Sequence, residues 1–471
     1  MTVRTRFSPS PTGNIHLGNA RAALFSAFYA NKTDGAFILR VEDTDAERSD
    51  DKYITSLEDD LRWLGITWQE GPSVGGEYGP YRQSLRQEFY DIYYAILEGK
   101  QLIYPCFCSD QELLLARKRQ LACGLPPRYA GTCRKLSHEE VSNRLAEGKK
   151  HAWRFIVPEN EAVDFDDAVK GSQHFMTQDI GDFIIRRADG TAPFLFCNAI
   201  DDALMKVTHV LRGEDHISNT PRQILLLKTL ELPIPTYGHL SMIVGDDGAP
   251  LSKRHGSSSV HDIRVAGFLP QAIVNYLARL GHGCDAQELL DFDHLSEYFV
   301  LEKLSKSPAR FDTTQLMYWQ KTAVQSLDPD SMWRWLGEMV RGQVPAKDQD
   351  LFIKVVRGNI EFPEDALKWA KIFYHDRVDL DETSATAIRD AGEQFFVEAE
   401  LAVGRHGTDI KSVLDEMKKS LGLSGKKLFM PLRAALTGRV DGPEMVNIAE
   451  ILGQKKMQHR LSKAFKVAEI T

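Results

Sequence analysis

The spacing of hydrophobic residues changes along the chain, and the changes mark out its elements. "TVRTRF" at 2–7 alternates, which predicts a first strand with Val3 and Phe7 inward and Arg4 and Arg6 outward. "SPSPTG" at 8–13 then breaks the backbone with two prolines and a glycine. "NARAALFSAFYANK" at 19–32 carries Ala20, Leu24, Phe25 and Phe28 at helical spacing. "GAFILRVEDTD" at 35–45 is a near-continuous apolar strand ending in carboxylates. Strand, turn, helix and strand in that order open a doubly wound α/β sheet. Ligands of such sheets sit beyond the carboxyl ends of the strands. Residues 8–19 fall there, and so do Glu42, Asp43 and Asp45.

From about residue 104 the pattern changes. "YPCFCSDQELLLARKRQLACGLPPRYAGTCRKLS" predicts two helices around a Pro-Pro break, and 151–187 predicts short strands. A mixed segment between two α/β halves predicts an inserted domain. The α/β pattern returns in "DDALMKVTHVLRGEDHISNTPRQILLLKTL", read as helix, strand, polar loop and helix. "YGHLSMIVGDDGAPLSKRHG" follows as a strand, a turn and a basic loop. Beyond about 325 the chain is almost wholly helical and charged, with no internal repeat. The expected organisation is α/β. A Rossmann-like nucleotide-binding domain in two halves (1–103 and 191–245) is split by an α+β insertion (104–190). A loop-bearing region (246–325) and an all-α half (326–471) follow. The core of the first domain is expected not to depend on the insertion.

Composition narrows the class. The 471 residues are 43% hydrophobic and 26% charged, ordinary for a soluble globular protein. There is no apolar run of signal-peptide or membrane-spanning kind. Six cysteines in this length do not make a disulfide scaffold, so a reducing cytoplasm is expected. A net charge of −8 does not advertise nucleic acid, but binding needs only a local basic face.

The turn at 8–19 carries the first candidate chemistry. Free N–H groups and the dipole at a helix N-terminus favour phosphate. Gly13 and Gly18 allow close approach to the backbone, and His16 and Asn19 offer hydrogen bonds. Together they describe a triphosphate cradle whose donors strengthen as charge builds on the α-phosphate. In "LSKRHG" at 251–256, Lys253 and Arg254 could close over a leaving pyrophosphate. A basic loop alone is usually a solvated turn.

The pairing is the specific signal. His16-x-Gly18-Asn19 at the first strand–helix turn, with Ser252-Lys253-Arg254-His255-Gly256 after a second α/β half, resembles the two signatures of class I aminoacyl-tRNA synthetases. "RFSPSPTG", "LRVEDTD", "GPYRQS", "NAIDDALMKVTHVLRGEDHISNTPRQ", "FLPQAIVNYLARLG" and "PLRAALTG" resemble the bacterial glutamyl-tRNA synthetases over essentially the whole chain. The resemblance implies ATP-dependent activation of L-glutamate, with Mg2+, to glutamyl-adenylate. The glutamyl group then passes to the terminal 2′-hydroxyl of tRNA(Glu), with tRNA(Gln) left open. It implies an insertion that binds the acceptor stem and a helical anticodon-binding half. A cytoplasmic monomer with no membrane partner is expected. Such chemistry rests on positioning and charge, so no nucleophilic side chain is expected.

The resemblance also implies site residues. His16, Asn19, Lys253 and Arg254 would be catalytic. Ser10, Gly18, Asp215, Ile243 and Lys253 would meet ATP. Arg6, Ser8, Glu42, Phe194, Asn198 and Arg212 would hold glutamate, with the arginines on carboxylate and Glu42 on the α-ammonium. Two positions depart from the family pattern. Pro250 stands where a lysine is usual, and Phe194 where a tyrosine is. The first predicts a slower or less stably closed loop.

Cys106, Cys108 and Cys133 have the spacing of a structural Zn2+ site. Many relatives complete it with a histidine where this chain has Lys135. Tyr129 resembles the ligand of a shortened relative that modifies a tRNA base, and Cys123 is the alternative. The basic run Lys455, Lys456, His459, Arg460, Lys463 and Lys466 is a candidate RNA face.

Three other functions fit parts of the pattern. The shortened relative lacks the helical half present here. A nucleotidylyltransferase would need neither the insertion nor that half. A catalytically weak, tRNA-binding paralogue would accommodate Pro250 and Phe194.

Overall fold

In chain order the strands are β1 (Arg4–Phe7), β2 (Ala36–Leu39), β3 (Ile103–Cys106), β4 (Ala152–Phe155), β5 (Ala162–Asp167), β6 (Gly171–Met176), β7 (Phe183–Arg186), β8 (His209–Gly213), β9 (Thr236–Leu240), β10 (Ile243–Val244) and β11 (Ala309–Arg310). Helix α1 is Leu17–Lys32. The computed structural model describes residues 2–45, 47–125, 127–251, 259–376 and 378–468. The chain divides into two compact units, Met1–Val265 with Pro270–Leu316, and Ala266–Leu269 with Met317–Thr471.

The first unit is framed by a parallel sheet in the order β2-β1-β8-β9. Parallel pairing sends every carboxyl end to one edge. β1 lies inside the sheet, and neighbouring residues meet different cover. Thr5 Oγ1 donates to Ser26 O of α1 at 2.8 Å, while Arg6 faces Asp202 of the helix Phe194–Leu204. Arg6 is therefore buried, not outward as the alternation predicts, because a central parallel strand has no solvent face. α1 begins at the N-cap His16 and buries Ala20, Ala23, Leu24, Ala27 and Phe28.

The insertion holds an antiparallel sheet β3-β4-β7 and a hairpin β5–β6. Its helices Asp110–Ala122 and His138–Ala146 start with capping boxes, Ser109 with Glu112 and Ser137 with Glu140. Its strands are not a free-standing module. Phe155, Val157, Val163, Phe183 and Ile185 share one apolar cluster with Tyr90, Tyr94, Phe196, Val210 and Ile224. The expected independence of the first core is thus not met. The strands of the insertion are too short to bury their own apolar face, so they bury it against the helices Gln87–Gly99 and Phe194–Leu204.

The second unit is helical from Met317 onward, with a core that includes Phe352, Phe373, Ile388, Phe395, Val403, Met417, Leu432 and Leu461. Part of its basic run turns inward. Buried Arg460 donates to the carbonyls of Leu436, Ile372 and His375, and Lys456 to Phe373 O at 2.8 Å. These cations satisfy orphan carbonyls at the ends of the helices Pro363–Tyr374 and Lys426–Thr437. Lys455, His459, Lys463 and Lys466 stay exposed. Among the described residues no helix is long and apolar enough to cross a membrane.

Candidate active site

The carboxyl ends of β1, β8 and β9 open onto a cavity of about 640 Å³. Arg6, Ser8, Ser10, His16, Gly18, Asn19, Glu42, Phe194, Asn198, Arg212, Asp215 and Ile243 all line it, and so does Pro250. Lys253 and Arg254 lie outside the described residues. Their flanks stand at the cavity: Leu251 is part of its wall, and Ser259 bridges the backbone of His16. Val260 N donates to Ile15 O at 2.9 Å.

At the mouth of α1, His16 Nδ1 accepts from Gly18 N at 3.1 Å. A Cβ on Gly18 would stand 3.1 Å from that ring, so a larger residue would press the ring out of its place. Burial holds the His16 pKa below the ordinary histidine value, against the pull of Asp215. The ring is neutral near pH 7. No carboxylate stands in the first turn of α1, so the N–H groups there that His16 does not take face no competing side-chain anion.

Deeper in, the charges are cross-braced. Asp202 takes Arg6 at 3.2 Å and Arg40 at 2.8 Å. Arg40, fully buried, also faces Glu42 at 3.6 Å. Asn198 Nδ2 donates to Glu42, and Gln223 Nε2 donates to Asn198 Oδ1 at 2.9 Å. Burial pushes Glu42 up to about 7, although Arg40, Arg6 and Asn198 pull it down. Arg212 donates through Nη2 to Thr220 and Gln223, both at 2.7 Å, and through Nε to His239 at 3.2 Å. Burial lowers its pKa to about 10, so it stays charged near neutrality. Arg212 Nη1 and Ser8 Oγ are buried and have no partner among the described residues. The cavity therefore presents a fixed cation with an unused donor, beside a carboxylate poised near neutral pH. That pairing suits a zwitterion with an extra carboxylate. The Phe194 ring stands 5.2 Å from His216, and adds no hydroxyl.

Sequence patterns did not single out Arg40, Asp202, Gln223 or His239. A signal existed for one of them: Asp202, next to Asp201, interrupts a largely apolar helix, and buried carboxylates in such a place need cations. Asp201 takes Arg86 at 2.6 Å.

The second cluster lies in the insertion. The sulfurs of Cys106, Cys108 and Cys133 are within 4.8 Å of one another. The Tyr129 hydroxyl is 3.5 Å from both Cys106 Sγ and Cys108 Sγ, and Cys108 Sγ is 3.6 Å from Cys133 Sγ. Cys123 is exposed and outside this group. Tetrahedral zinc, with sulfur at about 2.3 Å and oxygen at about 2.0–2.2 Å, separates its donors by about 3.5–3.8 Å. The donor set has the size and chemistry of such a site. Burial opposes thiolate formation at Cys106, but hydrogen bonds from Arg154 and Tyr129 overcome it and lower that pKa.

Comparison with known proteins gives a consistent result. Residues 2–318 match the family of class I tRNA synthetases (E and Q), catalytic domain, and residues 332–465 match an anticodon binding domain. A protein named glutamate–tRNA ligase 2 from Nitrosococcus oceani is 54% identical over 98% of this chain and 97% of its own. Another of that name, from Coxiella burnetii, is 51% identical over 98% and 99%. The crystal structure of a glutamate tRNA ligase from Elizabethkingia meningosepticum in complex with its amino acid superposes with a TM-score of 0.89. It is 28% identical and covers 99% of each chain.

Proposed function

The chain belongs to the glutamate–tRNA ligases, which are class I aminoacyl-tRNA synthetases, and from that premise we propose how its residues divide the work. The side-chain carboxylate of glutamate meets Arg212, with Arg6 beside it, and the α-ammonium meets Glu42. Asn198 and Ser8 fix the orientation of the amino acid. Phe194 packs against it without a hydrogen bond. The observation that carries this reading is Arg212, a cation of the cavity wall whose buried Nη1 has no partner among the described residues.

ATP lies across the mouth of α1. Gly18 leaves room for the adenine, Asp215 and Ile243 border the nucleoside, and Ser10, His16 and Asn19 donate to the phosphates. The glutamate α-carboxylate attacks the α-phosphate, and pyrophosphate leaves toward Lys253 and Arg254. Donors placed where charge develops act mainly in the transition state. The Mg2+ that accompanies ATP in this class supplies charge neutralisation at the triphosphate. The 2′-hydroxyl at the end of tRNA(Glu) then takes the glutamyl group.

Cys106, Cys108, Cys133 and Tyr129 hold a structural zinc in the insertion, which meets the acceptor stem. Lys455, His459, Lys463 and Lys466 recur at helical spacing on the exposed side of the last helix and face RNA phosphates.

Charging each purified tRNA isoacceptor with labelled glutamate tests the proposal. Charging of tRNA(Glu) is expected. Charging of tRNA(Gln) as well would widen the substrate range. Tight tRNA binding with no charging would instead identify a weak paralogue.

A further inference from the structure

Beneath Arg212 lies a residue that belongs to the insertion. Asp167 ends β5, and its side chain is wholly buried against His239 of β9. Its Oδ1 accepts three backbone N–H groups, from Lys170 at 2.8 Å, Val169 at 2.9 Å and His239 at 3.1 Å. Its Oδ2 is 2.5 Å from His239 Nδ1. Three amides converging on one oxygen fix the carboxylate and leave the other oxygen to the ring. Burial opposes ionisation of Asp167, yet the hydrogen bonds from His239 and the backbone keep its pKa low. Burial in turn lowers the His239 pKa, so the ring carries one proton. The hydrogen-bond network assigns that proton to Nδ1, facing the carboxylate.

The consequence falls on the other nitrogen. His239 Nε2 must be an acceptor, and it stands 3.2 Å from Arg212 Nε and 3.0 Å from Thr220 Oγ1. The opposite tautomer would set N–H against N–H. The Tyr237 ring lies nearly parallel to His239, at 10° and 6.3 Å, and 5.2 Å from Arg212 Cζ. The guanidinium is thus held on its Nε and Nη2 sides by His239, Thr220 and Gln223, which leaves Nη1 as its nitrogen without a partner among the described residues. The same turn of the insertion reaches the next loop, where Lys170 pairs with Glu214.

We propose that Asp167 and His239 are positioning residues for glutamate: the carboxylate sets the imidazole tautomer that fixes the Arg212 guanidinium at the cavity wall. This rests on the assignment of Arg212 to the substrate carboxylate. In Asp167→Asn the three backbone amides still claim the side-chain oxygen, so the amide NH2 meets the ring and drives its proton to Nε2. The geometry survives and the tautomer is wrong.

The test compares KM for glutamate and for ATP in tRNA(Glu)-dependent pyrophosphate exchange. Asp167→Asn is expected to raise the glutamate KM by roughly tenfold or more, with the ATP KM within about twofold. His239→Gln offers an amide oxygen at the Nε2 position while its NH2 suits the Asp167 carboxylate. The single variant His239→Gln is therefore expected to stay within about threefold of the wild-type glutamate KM, and His239→Leu to behave like Asp167→Asn. Should Asp167→Asn fail to fold, His239→Gln against His239→Leu carries the test alone. Equal losses in those two, or unchanged glutamate KM in both Asp167→Asn and His239→Leu, would overturn the positioning role. Arg212→Leu separates the two levels. If it leaves glutamate KM unchanged, the Arg212 assignment falls and the proposal falls with it. If it raises that KM while Asp167→Asn and His239→Leu do not, only the positioning role is lost.

Discussion

In the cavity beyond the parallel sheet, buried charges lean on protein partners: Arg6 and Arg40 share Asp202, Arg86 faces Asp201, and Arg212 rests on Thr220, Gln223 and His239. In the cysteine corner of the insertion, Cys106, Cys108, Cys133 and Tyr129 crowd against one another, with Arg154 beside Cys106 and over the Tyr129 ring. The cavity is a set of aimed groups held from behind, so that binding costs little rearrangement. The corner is a set of donors whose kind and spacing suit one cation. Damage to the first should therefore appear in substrate constants, and damage to the second in metal content and local order.

The largest effect is expected at the corner. Cys106→Ser should take the zinc content from about one per chain to near zero, since structural zinc contributes about 10 kcal/mol or more in small zinc-binding peptides. Amides of 104–137 should exchange faster, while β1 and β8 keep their protection. Elemental analysis and hydrogen exchange read both. A wild-type protein without zinc would break the contrast, leaving the corner held by packing alone.

Removing a brace of the cavity comes next. Asp202→Leu leaves Arg6 and Arg40 facing mainly Glu42, and a broken buried pair costs on the order of 3 to 5 kcal/mol. Denaturant unfolding should record that loss of stability without any change in zinc content.

Glu42 predicts a smaller, pH-dependent effect. Its folded pKa is raised to about 7, so below that pH the carboxyl is protonated and cannot hold an ammonium. Glutamate KM should fall as pH rises from 6 to 8, by roughly tenfold. A KM that is flat across this range would place the α-ammonium elsewhere.

The smallest effects belong to the last helix. Lys463→Ala should weaken tRNA binding slightly and reduce the salt slope by about 0.7 to 0.9. Arg460→Ala should leave that slope unchanged and lower stability instead, because Arg460 serves carbonyls and not phosphates.

That last pair shows where the sequence was legible. The period change from "TVRTRF" to "NARAALFSAFYANK" located the first strand–helix turn, and the cavity opens there. The cysteine spacing and Tyr129 came together as four neighbouring donors. Arg6 was misplaced because two-residue alternation assumes one wet face, whereas β1 is paired on both edges and covered on both sides. Arg460 looked like its neighbours because composition cannot tell a carbonyl-capping arginine from a phosphate-facing one. Asp167 and His239 are 72 positions apart and on different elements, so no local period links them.

The central claim is that Arg212 is the cation for the glutamate side chain in the cavity beyond the parallel sheet. Pyrophosphate exchange into ATP, dependent on glutamate and tRNA(Glu), measures it most directly in the wild type and in Arg212→Leu. The account predicts a fall in kcat/KM for glutamate of about a hundredfold or more, with the ATP KM within about twofold. An unchanged kcat/KM for glutamate, or equal losses for glutamate and ATP, would contradict it.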